Sequence, residues 1–291
     1  MSPTIVLLHG RGQEFKDVGE LTQRWLDGLD TGLRRAGHPL VARDGVVMPF
    51  YGNELYHVTA ASAAAPIRLE SALDQPGPFE PHLPAEVGEM ERLLLAEQAR
   101  EAGVPVVQQE GLDAVLSWGL ARRVLDSLAR RTRVDQGIIT AHLRDVAVYL
   151  TVGRESILSR VRESLPAQGK VILVSHSLGT VVARDLLVDP DLRSRTVLWV
   201  TAGSPLGIEA VRRNLLAHGG DNPGLRWVST YDVNDVVALG HPLAPKWGSP
   251  QVVDVEVEND SEPHSIVRYL AHRAVADHIG RALATTGTPG G

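Results

Sequence analysis

Short runs of Val, Ile and Leu recur along this chain, at Thr4 to Leu8, Gly45 to Met48, Lys170 to Val174, Thr196 to Thr201, Leu225 to Thr230 and Gln251 to Val257. Between them lie longer stretches whose apolar positions repeat at helical spacing. Runs that are apolar at nearly every position suit strands covered on both faces, so the pattern predicts a mostly parallel sheet flanked by helices. In the last run Asp254 and Glu256 alternate with Val253, Val255 and Val257, which places that strand nearer a sheet edge.

The runs are unevenly spaced. About 120 residues without a convincing strand separate the second from the third, too many for an ordinary connection between a strand and the next element. An insertion is implied: residues 51–165 are expected to form a helical cap or lid, and residues 1–50 and 166–291 one α/β core. Within the insertion Leu112, Val115, Leu116, Leu120, Val124, Leu125 and Leu128 draw one helical stripe, with Arg122, Arg123, Asp126 and Arg130 off it. Pro84 to Ala102 predicts a second helix, entered after Pro76, Pro78, Pro81 and Pro84, and Ile138 to Leu165 predicts one or two more. Helix packing explains such stripes before any membrane or partner surface is invoked. The small, Gly/Pro-rich end, Thr285 to Gly291, reads as a frayed tail.

Composition narrows the function classes. With 43% hydrophobic and 22% charged residues over 291 positions, the chain can build a real core around one catalytic domain. A formal net charge of -6, with Arg scattered among Asp and Glu, argues against a nucleic-acid partner. There is no cysteine, hence neither a disulfide framework nor a thiolate metal site, and the reducing cytoplasm is the expected compartment. The start, Met1 to His9, lacks a basic leader and runs straight into a core strand, so no signal peptide is expected. No apolar run reaches the roughly 18 to 20 residues that span a bilayer, which leaves peripheral lipid contact as the form membrane association could take.

The chemistry-bearing segment follows the third run. Val171 to Val174 leads at once into Ser175-His176-Ser177-Leu178-Gly179, and Thr180 to Leu187 then has helical spacing. A strand, a sharp turn and a helix are the setting in which a G-x-S-x-G pattern presents its central serine as a nucleophile. Ser175 stands where the pattern has glycine, a departure that keeps the position small. Leu178 begins the helix, so its backbone N–H lies where a developing oxyanion would be stabilised. His176 is a neighbour on too tight a turn to serve as the base, and packing or hydrogen bonding is its expected role. A plain polar turn would also use Ser and Gly, but would not need a strand and a helix placed on either side.

Together with Leu7-Leu8-His9-Gly10, this segment resembles the α/β-hydrolase superfamily, in its lipase and esterase group. The resemblance covers the chain outside the insertion. It implies an α/β-hydrolase fold and a second oxyanion-hole N–H on Arg11, within the turn Gly10-Arg11-Gly12. It also implies a triad in the order nucleophile, acid, histidine. After Ser177 the acid is then Asp235 or Asp232 in Tyr231-Asp232-Val233-Asn234-Asp235-Val236-Val237, and Asn-Asp-Val-Val favours Asp235. The base is expected at His264, in a loop before a new helical stretch; His241, close behind Asp235, is the competitor among eleven histidines. Gly10, Gly12, His176 and Ser204, the last in the turn Gly203-Ser204-Pro205 at another strand end, are candidate pocket residues.

No phosphate-cradling loop, dinucleotide-binding glycine pattern or paired-histidine zinc motif is found in the sequence, and the histidines and acids lack ligand spacing, so no cofactor or metal is expected. The function expected is cleavage of a carboxylic ester, with a small-molecule or lipid ester as substrate. Acyl transfer or thioester cleavage by the same triad, and ligand binding without catalysis, are the alternatives.

Overall fold

A computed structural model describes residues 2–64, 84–104, 118–132, 134–217 and 222–285. Among the described residues six strands form one sheet: β1 (Thr4–Leu8), β2 (Val46–Val47), β3 (Val171–His176), β4 (Thr196–Ala202), β5 (Trp227–Tyr231) and β6 (Val252–Glu256). They lie in the order β2-β1-β3-β4-β5-β6, and every neighbouring pair is parallel. The alternating run is β6, and it does sit on an edge. Every residue of β3 is buried, as expected of a central parallel strand.

Most strand boundaries shift by a residue or two from the sequence reading, and two of the differences have a clear local cause. β2 shrinks to Val46–Val47, because Gly45 closes a short turn entered at Arg43. β3 runs past Val174 to His176, with Ser175 opposite Thr201 and His176 opposite Ala202. Ser175 is tolerated in the core because its hydroxyl is fully used: Oγ donates to the Val200 carbonyl at 3.1 Å and accepts from Trp199 Nε1–H at 2.9 Å.

The helices are α1 (Val18–Ala36), α2 (Gly52–Ala64), α3 (Ala85–Glu101), α4 (Trp118–Thr132), α5 (Gln136–Val148), α6 (Arg154–Arg162), α7 (Leu178–Leu186), α8 (Pro190–Arg195), α9 (Glu209–Arg213), α10 (Ala244–Trp247), α11 (Ile266–Ala271) and α12 (Arg273–Thr285). On one face of the sheet Ile5, Leu7, Ile172, Val174 and Val200 pack against Leu26, Leu29 and Leu33 of α1 and Val275 and Ile279 of α12. On the other face Val6, Leu8, Leu173 and Trp199 share a core with residues of α3, α4, α5, α6 and α7. Strand periodicity of two sends alternate residues of β1 to these two layers.

Between β2 and β3 the described elements are all helical, α2 to α6. Val124 and Leu128 of the anticipated stripe are buried in α4; Leu112, Val115, Leu116, Pro76, Pro78 and Pro81, like the tail beyond Thr285, lie outside the described residues. α2 had no signature of its own, since its Ala-rich sequence draws no strong stripe. α5 and α6 are joined by one widened turn, Tyr149–Gly153. A buried cluster ties that turn to the core: Asp185 of α7 accepts from Tyr149 Oη at 2.9 Å and from Leu216 N–H at 2.8 Å, and pairs with Arg154 Nε at 3.1 Å. Among the described residues no helix is long and apolar enough to cross a membrane.

Candidate active site

β3 ends on His176, α7 begins on Leu178, and Ser177 makes the whole turn between them with φ 54° and ψ -130°. A non-glycine residue with positive φ is held there only when its surroundings dictate it. Those surroundings are tight: a Cβ on Gly179 would come within 2.4 Å of the Leu8 carbonyl oxygen, and one on Gly10 within 2.7 Å of Ser177 Cβ. Glycine at both positions lets the end of β1 and the start of α7 close around the serine. Ser177 itself is buried, and its Oγ makes no hydrogen bond among the described residues.

The later strand ends bring up an acid and an imidazole. Asp235, after β5, is fully enclosed, and its Oδ2 accepts from His264 Nδ1–H at 2.8 Å and from Tyr269 Oη at 2.8 Å. Its Oδ1 accepts from Val237 N–H at 2.9 Å. Burial alone would raise the Asp235 carboxyl, but the His264 imidazole first, then Tyr269 and Val237, outweigh it and hold the carboxyl below its ordinary value. Asp232 serves the loops instead. Its carboxylate accepts from Asn234 N–H at 2.7 Å and from Asn259 N–H at 2.6 Å, which shapes both of them. His241 also lies apart from this pair, donating to the Ala238 carbonyl at 2.6 Å and stacking on Tyr231.

Ser177 and His264 line one cavity of about 300 Å³, together with Gly10, Arg11, Gln13, Trp25, Ile138, His142 and His176 among others. Gly12 and Ser204 are not in its wall. Ser204 is instead a buried turn former, bonded to Thr180 Oγ1 at 2.7 Å and to Leu206 N–H at 3.1 Å. His176 donates Nε2–H to the His264 carbonyl at 3.0 Å, and the two rings lie 4.5 Å apart. It thereby ties the His264 loop to the elbow.

The loop after β1 is fixed from two sides. His9 Nδ1 faces the Gly10 carbonyl at 2.8 Å, and Tyr51 N–H points at His9 Nε2 at 3.2 Å. One nitrogen must donate and the other accept, so the ring is the neutral Nδ1–H tautomer. Because the peptide is trans, engaging the Gly10 carbonyl turns the Arg11 N–H the opposite way. The Arg11 side chain is held from the helices between β2 and β3, with Nε 2.7 Å from Asp145 Oδ2 of α5; Asp145 also accepts from Thr59 of α2 at 3.3 Å.

Tyr269 and His142 are the site residues that sequence reasoning did not single out. Tyr269 had a weak signal, five residues after His264 in the same helical stretch. His142 had none, because only folding brings α5 to the cavity.

Burial lowers four imidazoles in this region: His9 to about 4, His142 to about 3, His241 to about 4, and His176 well below the usual range, with His264 adding to the last. In the unfolded chain the value returns to about 6.5. Between the folded and unfolded values the unfolded state binds more protons, so the stability present above about pH 6.5 is lost progressively as pH falls toward 4. At most about 1.4 kcal/mol per pH unit per ring is at stake. Unfolding midpoints measured by calorimetry across this window should fall steeply, and a flat profile would show that these rings are not buried neutral.

The family described as PGAP1-like alpha/beta domain matches residues 137–216, a span from α5 through the elbow to just beyond α9. No curated protein and no solved structure matches the chain. Together with the six-stranded parallel sheet, the family match supports an α/β-hydrolase-like fold.

Proposed function

We propose that the protein is a serine hydrolase that cleaves a carboxylic ester through Ser177, His264 and Asp235. The observation that carries this reading is a serine held at φ 54° at the tip of a central strand, lining the same cavity as an imidazole already paired with a buried carboxylate. His264 Nε2 takes the Ser177 proton as Oγ attacks the ester carbonyl, and Asp235 keeps Nδ1–H in place and stabilises the imidazolium. The N–H groups of Leu178 and Arg11 stabilise the tetrahedral oxyanion. His264 then passes its proton to the leaving alkoxide, which departs as the alcohol and leaves an acyl-enzyme. Water, deprotonated by His264, attacks that ester; Ser177 is released with the proton and the carboxylic acid leaves.

The segment 51–165 acts as a cap in this reading. Its support is that α5 contributes Ile138 and His142 to the cavity wall. A small-molecule or lipid ester is the substrate class.

A fluorophosphonate probe tests the chemistry directly. One equivalent should attach, and peptide mapping should place the adduct on Ser177. An unlabelled protein, or an adduct elsewhere, would favour a ligand-binding relative over an enzyme.

A further inference from the structure

We infer that His142 sets the acyl length the site accepts, as the partition between the catalytic cavity and a second, apolar cavity under the insertion. The inference rests on the ester-hydrolase reading and adds to it a specificity-determining residue. The second cavity is small, about 10 Å³, and is walled by Leu94, Leu143, Val146, Ile208 and Val211, with Gln98 and Pro205. Among the described residues, His142 alone lines both cavities.

Helix geometry explains the arrangement. Ile138 and His142 are four apart on α5 and present one face to the Ser177 cavity, while Leu143 and Val146 turn toward the second. The His142 ring centroid is 6.3 Å from that of His264, so the partition stands beside the proposed reacting centre. His142 is only 4% exposed, so the ring stands packed between the two cavities it lines. A ring that lines two cavities suits a wall in contact with ligand. Burial also keeps the ring neutral, so a hydrocarbon chain lying against it meets no charge.

At the floor the Gln98 NH₂ donates to the Val236 carbonyl at 2.7 Å, while its Oε1 is a buried acceptor without a partner among the described residues. The remaining walls are apolar. In the native protein an acyl chain therefore stops at the imidazole; without the ring, the space it vacates joins the cavity of about 10 Å³ behind it, room for about two further methylenes between mostly apolar walls.

Two variants of the full chain separate this from other roles. kcat/KM is measured for nitrophenyl butyrate, hexanoate, octanoate and decanoate. His142→Ala opens the partition, and the ratio of decanoate to butyrate should rise by about tenfold, given about fourfold in binding for each buried methylene. The change should lie mostly in KM. His142→Phe restores an apolar barrier of similar size and should retain the native ratio. Calorimetric binding of the matching free fatty acids reads the same partition without turnover, and His142→Ala should gain affinity for the longer acids. If His142→Ala keeps the native ratio and the native fatty-acid preference, or if both variants lose turnover equally at every chain length, the inference is overturned. A native protein that turns over no ester and takes no fluorophosphonate defeats the hydrolase reading instead, and the fatty-acid series still decides the partition.

Discussion

Replacing Ser177 by Ala should lower ester turnover by about a million-fold while leaving the fold intact, the largest loss expected of any single substitution here. The side chain lost is one hydroxyl with no hydrogen-bond partner among the described residues, so no buried donor or acceptor is orphaned. The methyl side chain is smaller than the one it replaces and adds no contact. Backbone strain at φ 54° remains, because alanine carries the same Cβ penalty as serine. The variant should therefore unfold near the native temperature and fail only in chemistry. Residual catalysis of about a thousandfold or more over water would be left to the oxyanion donors and substrate binding. Turnover within tenfold of the native protein would show that this hydroxyl is not the nucleophile.

Asp235→Asn should cost about ten thousandfold in kcat. The carboxylate is acceptor-only and takes bonds from His264, Tyr269 and Val237. An amide of the same shape can turn its NH₂ toward Nδ1, which fixes the imidazole with its proton on Nε2 and leaves it unable to accept from Ser177. The substitution also changes the response to acid. The folded Asp235 carboxyl is held below its unfolded value of about 3.9, so it stabilises the protein above that value and loses the contribution as pH falls through the lower folded value. The amide cannot titrate. The native protein should thus lose one increment of stability below about pH 4 that the variant never has, in denaturant titrations run at each pH. A variant with native kcat would point to Asp232 or to no acid at all.

How far the sequence revealed this architecture follows from what each feature depends on. The strands were visible because continuous apolar runs are local, and the edge position of β6 because one polar face suffices to mark it. The elbow was visible because its strand, serine and helix are contiguous. By contrast, the choice of Asp235 over Asp232 leaned on family likeness; in the fold, one carboxylate meets His264 while the other shapes loops. Ser204 illustrates the opposite failure. A serine in a turn at a strand end looks like pocket lining, yet Thr180 of α7 draws its hydroxyl inward. His142 was invisible because its importance comes from a helix lying far from the elbow in sequence, and helical spacing says which face is buried but not against what. Much of the anticipated Leu112 stripe falls outside the described residues.

The ion pair between Arg11 and Asp145 carries a consequence for how such a protein can vary. The glycine-flanked turn at the tip of the first strand leans on a counter-charge supplied from 134 positions further along the chain. Exchanging the intervening helices for a foreign set would leave the arginine without its acid unless the transplant carries a carboxylate at the same place on the equivalent helix. The turn and the helices between the second and third strands are therefore coupled, and those helices are less freely interchangeable than their distance along the chain suggests.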